Sequence, residues 1–233
     1  MTQLRSGTIV LPVAQSSNVP EGQAQVWGKD ALHCVFRSDD GGRTWPHAAE
    51  THEGCYETHI LESQNGDLLA ALRYQRSIRR DNPSELLDLW ADPDGAQVGA
   101  PLYKRVFLAD STDQGATWSN LRGLMTADEK PVVEYGQCHG QLVQVPDGRV
   151  VLVHDNRYPG ENAEVIARVS GDNGQTWQPQ AYHVSFGMGY PASVVLDDGT
   201  IVTVTGNTPM YSPQGLAIGD HTWSVAAIRW RLP

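Results

Sequence analysis

Residues 38–45, Ser-Asp-Asp-Gly-Gly-Arg-Thr-Trp, decide the fold, because the same eight-residue pattern occurs twice more in the chain. It returns at 111–118 as STDQGATW and at 170–177 as SGDNGQTW. Self-similar segments separated by several tens of residues in a β-rich chain are typical of the blades of a propeller. The repeat therefore predicts an all-β chain folded as a β-propeller.

The residue types of the repeat predict a structural role. Ser and Asp side chains bond to turn backbone, Gly accepts a left-handed conformation, and Trp packs back between sheets. We therefore expect Asp40, Asp113 and Asp172 to hold turns and not to act as catalytic carboxylates.

A second pattern, strand–turn–strand, lies between the copies of the repeat. Its turns are Asn65-Gly66, Asp147-Gly148 and Asp198-Gly199, each flanked by apolar runs, and such dipeptides predict two-residue hairpins. Segments 103–111, 164–170 and 221–230 follow as third strands. With a further turn at Ser6-Gly7, the chain of 233 residues is expected to supply about three and a half C-terminal blades of one partial propeller domain, 1–233.

The two ends of this pattern suggest an incomplete ring. Only five residues precede Ser6, so the inner strand of the first blade is expected to be missing, and no repeat follows the last strand. An open ring leaves strand edges and apolar faces bare. We therefore expect an N-terminal segment or a second chain to complete the propeller.

Charge and composition restrict the classes of partner and site that the sequence supports. A net charge of −10 argues against nucleic acid, which needs a basic face, and no stretch approaches the ~20 apolar residues of a membrane span. Three cysteines, Cys34, Cys55 and Cys138, lack metal-ligand spacing and are expected to be buried thiols. We expect no metal and no cofactor, and the N-terminus makes a poor signal peptide, which leaves the compartment open.

Hairpin geometry predicts which residues gather at the ends of the strands away from the repeats. Residues equidistant from a turn face each other, and the expected pairs are Glu57 with Arg73, His139 with Arg157, and Tyr190 with Asn207. Inner strands line the central pocket of a propeller, so Glu57, His139 and Tyr190 are expected to point into it.

With these residues, the sequence resembles the sialidase (neuraminidase) superfamily over nearly the whole chain, its repeat matching the Asp-box (BNR) repeat. The resemblance implies a six-bladed propeller with an arginine triad around the sugar carboxylate, a Tyr nucleophile polarised by a Glu, and an Asp acid/base. Glu57 and Arg73, sixteen residues apart around Asn65-Gly66, match the Glu and the second arginine. Tyr190 matches the nucleophile and Arg157 the third arginine, whereas the first arginine and the Asp have no visible counterpart.

The resemblance implies a retaining exo-glycosidase that hydrolyses terminal sialic acid or a related acidic sugar. Such a sugar carries a carboxylate beside its anomeric carbon, which repels a carboxylate nucleophile but not a neutral Tyr. His139 stands where sister blades have Glu or Tyr and is expected to touch substrate. The alternatives are a non-catalytic glycan-binding or scaffold propeller, and a propeller enzyme acting on other uronic or deoxy sugars.

Each site residue also has a plain structural interpretation: Glu57 as a strand-end partner of Arg73, Tyr190 as a packing aromatic, Arg157 as a loop arginine, and His139 as a hydrogen-bonded core residue. The segment 74–102 interrupts the blade pattern, and Ser84 before ELLDLW predicts a short helix there. This segment is interpreted either as a solvated loop or as a pocket wall that contributes Arg76, Arg79 or Arg80.

Overall fold

All regular elements in the described part of the chain are β-strands. The computed structural model describes residues 1–15, 32–52, 54–76, 90–91, 102–132, 136–156, 164–186, 189–207 and 224–233. These residues form 15 strands in four antiparallel sheets, and the chain divides into two compact units, 1–123 and 124–233. Among the described residues, no helix is long and apolar enough to cross a membrane.

The first unit contains two four-stranded sheets in which consecutive strands pair. Sheet I consists of β1 (Thr2–Gln3), β2 (Ile9–Gln15), β3 (Leu32–Ser38) and β4 (His47–Glu50). Sheet II consists of β5 (Cys55–Glu62), β6 (Leu68–Arg76), β7 (Tyr103–Ser111) and β8 (Ser119–Gly123).

The expectation that sheet I lacks its first strand is wrong. Thr2 pairs with Val10 and Gln3 with Ile9, so a two-residue strand occupies that edge. The five residues before Ser6 suffice because the turn between β1 and β2 is tight, with the amide of Leu4 donating to the carbonyl of Thr8 at 2.8 Å.

The second unit contains sheet III and sheet IV. Sheet III consists of β9 (Gln137–Gln144), β10 (Val150–Asn156), β11 (Glu164–Ser170) and β12 (Tyr182–Phe186), and sheet IV of β13 (Ala192–Val195), β14 (Ile201–Asn207) and β15 (Ser224–Trp230). Each sheet is an antiparallel meander, as propeller blades are. The all-β prediction is confirmed. The chain contains four blades instead of the predicted three and a half, and three strands of the last blade are described.

The hairpin turns differ from the prediction of two-residue loops. The amide of Ser63 donates to the carbonyl of Asp67 and that of Gly66 to the carbonyl of Ser63, both at 2.9 Å, and only Gly66 has positive φ, +96°. A two-residue turn of the Asn-Gly type requires positive φ at both residues, whereas a type I turn followed by one left-handed residue does not. The turns at 4–8, 145–149 and 196–200 share this bonding.

The three copies of the eight-residue repeat close in the same way. In the second copy, Ser111 Oγ donates to Asp113 Oδ1 at 2.8 Å, and the amide and hydroxyl of Thr117 donate to the two oxygens of the same carboxylate at 2.9 and 2.6 Å. The other copies repeat these bonds around Asp40 and Asp172. The aspartates therefore hold turns, as the sequence predicts.

The tryptophans of the repeat meet the expectation of burial only in part. Trp177 is buried, and its amide donates to the carbonyl of Met125 at 2.8 Å, which ties the third copy to the loop that precedes β9. Trp45 and Trp118 remain half-buried, each lying over the glycine three residues before it.

The cysteines are free thiols. Cys55 and Cys138 are buried and Cys34 is half-buried. Burial raises the pKa of the Cys55 thiol, an effect that the nearby Arg76 guanidinium partly offsets. A buried thiol of this kind behaves as a small apolar side chain.

Candidate functional site

Glu57, Arg73 and His139 lie at the ends of sheets II and III away from the repeats. In sheet II, Ser111 of the second repeat pairs with Leu68, and Arg73 lies five residues further along β6. At about 3.3 Å per residue, that separates them by roughly 16 Å. Sheet III repeats this arrangement, with Ser170 paired with Val150 and Asp155 five residues along β10. In sheets II and III, Arg73 and Asp155 therefore lie at the end of the sheet away from the repeat.

A β-bulge of the same kind shapes this end of both sheets. Between the pairs Cys55–Tyr74 and Thr58–Leu72, two residues of β5 oppose one of β6, and one of the two is Glu57. Bulges re-aim side chains and occur preferentially near functional sites.

The corresponding irregularity in sheet III lies between the pairs Cys138–Asp155 and Gln141–Val153, and it carries His139. Glu57 and His139 are therefore presented by backbone that departs from regular alternation.

Arg73 and Glu57 form the first group of the candidate site. Arg73 Nη1 lies 2.7 Å from Glu57 Oε1, with the arginine side chain 12% exposed and the glutamate side chain 45% exposed. Arg73 Nε and Nη2 both donate to Gln75 Oε1, at 3.0 and 2.7 Å. Gln75 thus fixes the plane of the guanidinium, a role that the sequence did not suggest for it.

Further basic side chains are buried at the same end of sheet II. Arg76, Lys104 and Arg105 are each less than a tenth exposed, and Arg76 Nη1 donates to the hydroxyl of Tyr74 at 2.7 Å. Arg76, which the sequence placed in the insertion, is instead the last residue of β6. Lys104 and Arg105 are consecutive residues of β7, so their side chains lie on opposite faces of sheet II.

His139, Asp155 and Tyr190 form the second group. His139 Nδ1 lies 2.9 Å from Asp155 Oδ1, and both side chains are buried. The rings of His139 and Tyr190 stack with their centroids 3.7 Å apart and their planes inclined at 34°. Tyr190 is nevertheless 64% exposed, so its phenol group is accessible at the surface of this unit.

Sequence reasoning missed Asp155. A carboxylate inside the apolar run VVLVHDN of β10 was the available signal, since an ionisable residue there needs a partner. That partner is His139, which has a left-handed backbone with φ +51° and turns its ring onto the carboxylate.

Two glycines hold the backbone beside Tyr190. A Cβ added to Gly189 would lie 2.6 Å from the Cα and amide nitrogen of Gly206, so only glycine permits this approach. The hydroxyl of Thr205 donates to the carbonyl of Gly189 at 2.8 Å. Tyr190 lies two residues before β13, which begins at Ala192.

Other predictions fall on residues that the structure does not describe. Arg157, Arg79, Arg80 and the helix expected after Ser84 lie outside the described residues. Trp90, in the same insertion, is described and buried. It lies against Phe107, and a Cβ on Gly123 would meet its ring at 2.1 Å. Among described residues, no group of three or more His, Cys, Asp or Glu side chains is arranged to hold a metal ion.

Comparison with known proteins identifies the fold. No family model and no curated protein matches the sequence. The NanB sialidase from Streptococcus pneumoniae is similar in structure, with a TM-score of 0.60 and 16% identity over 97% of this chain and 50% of that one. A Penicillium chrysogenum α-L-arabinanase in complex with arabinobiose has a TM-score of 0.57 and 15% identity over 98% of this chain and 60% of that one.

A Hadza microbial sialidase gives a TM-score of 0.60 and 14% identity over 97% of this chain and 42% of that one. This chain shares its fold with propeller glycosidases. It spans between 42% and 60% of the lengths of these three neighbours.

Proposed function

We propose that the protein is a sialidase-like exo-glycosidase that cleaves a terminal sialic acid or a related acidic sugar with retention of configuration. In this proposal Tyr190 is the nucleophile, Glu57 the base, Arg73 and Arg157 bind the sugar carboxylate, and His139 contacts the substrate. In this proposal the chain forms part of a six-bladed propeller of the Asp-box class, and a further segment or chain completes the ring.

The observation that carries the proposal is the fixed guanidinium of Arg73. Two of its nitrogens donate to Gln75 Oε1, and a third pairs with Glu57, so its plane is set before a ligand arrives. A planar guanidinium recognises a planar carboxylate in two-point fashion, and pre-organisation lowers the entropy lost on binding. The buried Arg76, Lys104 and Arg105 add positive charge at the same end of sheet II.

The exposed phenol of Tyr190 supports the chemical part of the proposal. As its oxygen bonds to the anomeric carbon, Glu57 takes the phenol proton, the glycosidic C–O bond breaks, and the departing oxygen takes up a proton from water. The hydroxide from that water then displaces the tyrosine, and the proton held by Glu57 restores the phenol. Tyrosine is the nucleophile suited to an anionic sugar, because its neutral form is not repelled by the adjacent carboxylate.

The test compares Arg73→Ala with Arg122→Ala on an aryl sialoside, with binding of free sialic acid measured in parallel. Arg122 is a matched control, since its side chain is 15% exposed and it pairs with Asp110 at 2.7 Å in the same sheet. We expect Arg73→Ala to raise KM about tenfold or more, because a charge-assisted bond contributes about 1.5–3 kcal/mol. Arg122→Ala is expected to leave KM unchanged.

Other outcomes separate the alternatives. Glu57→Gln is expected to lower kcat with little effect on sialic acid binding, since it removes a base and not the carboxylate receptor. A parent protein that binds sialic acid through Arg73 without turnover would establish the non-catalytic glycan-binding alternative. Equal KM values for Arg73→Ala and Arg122→Ala would contradict the carboxylate receptor.

A further inference from the structure

We propose that a cleft at the repeat end of the first unit binds the carboxylate of a small organic acid through Arg37. The cleft has a volume of about 330 Å³, and its described lining consists of Arg37, Pro46, His47, Ala48, Ala49 and Ala116. This volume is at the lower end of ligand pockets and suits a molecule about the size of a monosaccharide. The inference goes beyond the proposed function and does not depend on it.

The register of sheet I determines where Arg37 lies. Arg37 of β3 pairs with Val10 of β2 on one side and with His47 of β4 on the other. Paired residues of antiparallel strands project to the same face, so the two basic side chains share a face of the sheet. The buried Val10 places that face against sheet II, since a Cβ added to Gly115 of the second repeat would lie 3.4 Å from its Cγ1. The cleft therefore lies between sheet I and the second repeat.

The acidic residues near Arg37 are bonded to other partners. Asp39 Oδ1 accepts from the hydroxyl of Thr8 at 2.6 Å. Asp40 and Asp113 each accept at both carboxylate oxygens from residues of their own repeats. Within the described part of the chain, the half-buried Arg37 side chain has no hydrogen-bond or ion-pair partner, and its Nε is buried.

A partly desolvated cation without a partner favours an anionic ligand. The buried Nε of Arg37 loses water without gaining an acceptor, which is unfavourable for folding. Attraction to an anion is stronger at such a position than in open water, because water screens it less. A planar guanidinium matches the planar carboxylate in two-point fashion. The described lining adds the imidazole of His47 and no acidic side chain.

The second repeat leaves the cleft open because it carries a small side chain there. Ala116 lines the cleft, whereas the same position of the repeat is Arg43 in the first copy and Gln175 in the third. The three copies close with the same hydrogen bonds, so this position accepts a long side chain without loss of the turn. The turn therefore does not require alanine at 116, and the small side chain supplies an apolar wall for the body of the ligand.

The test follows the backbone amides of Ala49 and Ala116 by ¹⁵N NMR while glucuronate, glucose or inorganic sulfate is added to the full chain. Glucose is the neutral counterpart of glucuronate, and sulfate is an anion without the organic body. We expect glucuronate to shift both amides, and Arg37→Gln to weaken its binding about tenfold or more because a charge-assisted bond is lost. Ala116→Gln is expected to weaken binding as well, because it fills the cleft without changing the charge.

Arg43→Gln is the matched control, since it removes the same charge from an exposed position of the first repeat. We expect it to leave the affinity for glucuronate unchanged. An amide spectrum like that of the parent, apart from the signals next to the substitution, reports that each variant is folded.

Four results would overturn the inference. Glucuronate that shifts neither amide would show that the cleft is empty of this ligand, and glucose bound as tightly would show that the carboxylate is not recognised. Equal affinities in Arg37→Gln and Arg43→Gln would reduce the attraction to net charge. Sulfate bound as tightly as glucuronate would show that the walls of the cleft contribute nothing. The measurement needs no turnover, so each result stands whether or not the protein cleaves sialosides.

Discussion

The aspartates of the eight-residue repeat show how a single side chain stabilises a turn. Hydrogen bonds from the Thr44 amide and hydroxyl and from Ser38 lower the pKa of Asp40 to about 2. For Asp113 and Asp172, partial desolvation opposes the shift, but the bonds from the corresponding Thr and Ser outweigh it and lower the pKa as well. A carboxylate with a lowered pKa stabilises the folded state only while it is ionised.

These shifts predict a specific acid sensitivity. The unfolded carboxyl groups titrate near about 4 and the folded ones lower, so their stabilisation is present above about pH 4 and is lost as pH falls toward 2. We expect the urea midpoint to fall between pH 4 and pH 2 by more in the parent than in the triple variant D40N/D113N/D172N. Equal falls in the two proteins would show that the repeats do not contribute through their charge.

At the scale of the element, the turns depend on one left-handed residue each. Gly7 has φ +93° and Gly171 lacks a positive φ, while an added Cβ would meet nothing within 4 Å at either position. Comparing alanine substitutions at these two glycines therefore tests the backbone conformation alone, because neither substitution creates a steric contact. We expect Gly7→Ala to lower the free energy of unfolding by about 1 kcal/mol and Gly171→Ala to change it by less than about 0.5. Chemical denaturation measures both, and equal effects would contradict the turn assignment.

The same turns show what the sequence could predict. Alternating apolar runs around Asn-Gly and Asp-Gly located the hairpins of sheets II, III and IV, because period-two patterning survives in any antiparallel pair. The turn type and the bulge at Glu57 were not accessible, since each shifts the register by a single residue without a distinctive residue type. Asp155 stands in an apolar run, which was a signal, but the sequence did not indicate its partner His139, which lies in a bulge and has a left-handed backbone.

At the scale of the whole molecule, sheet IV presents an apolar outer face. Val194, Val204 and Val225 are between 41% and 76% exposed, and the strand register places them on one side of the sheet. Exposed apolar faces of this kind mark association surfaces or aggregation liabilities. The chain spans 60% and 50% of the lengths of two neighbours of the same fold.

This face predicts association of the 233-residue chain. We expect sedimentation velocity to show oligomers or aggregates, and Val225→Lys to reduce them because it places a charge on the apolar face. Thr112→Lys, at an exposed position of the second repeat, adds the same charge elsewhere and serves as the control. A parent that sediments as one monomeric species and unfolds cooperatively would contradict this prediction.

The central claim is that Tyr190 is the nucleophile of a glycosidase, and one comparison of turnover tests it most directly. Tyr190→Phe and Tyr182→Phe each remove one hydroxyl from the second unit, and only Tyr190 stacks on His139. On an aryl sialoside we expect Tyr190→Phe to lower kcat by several orders of magnitude, because no carbon–oxygen bond to the enzyme can form, and Tyr182→Phe to retain the rate of the parent. A Tyr190→Phe variant as active as the parent, or a propeller completed by the further segment or chain that shows no turnover, would contradict the account.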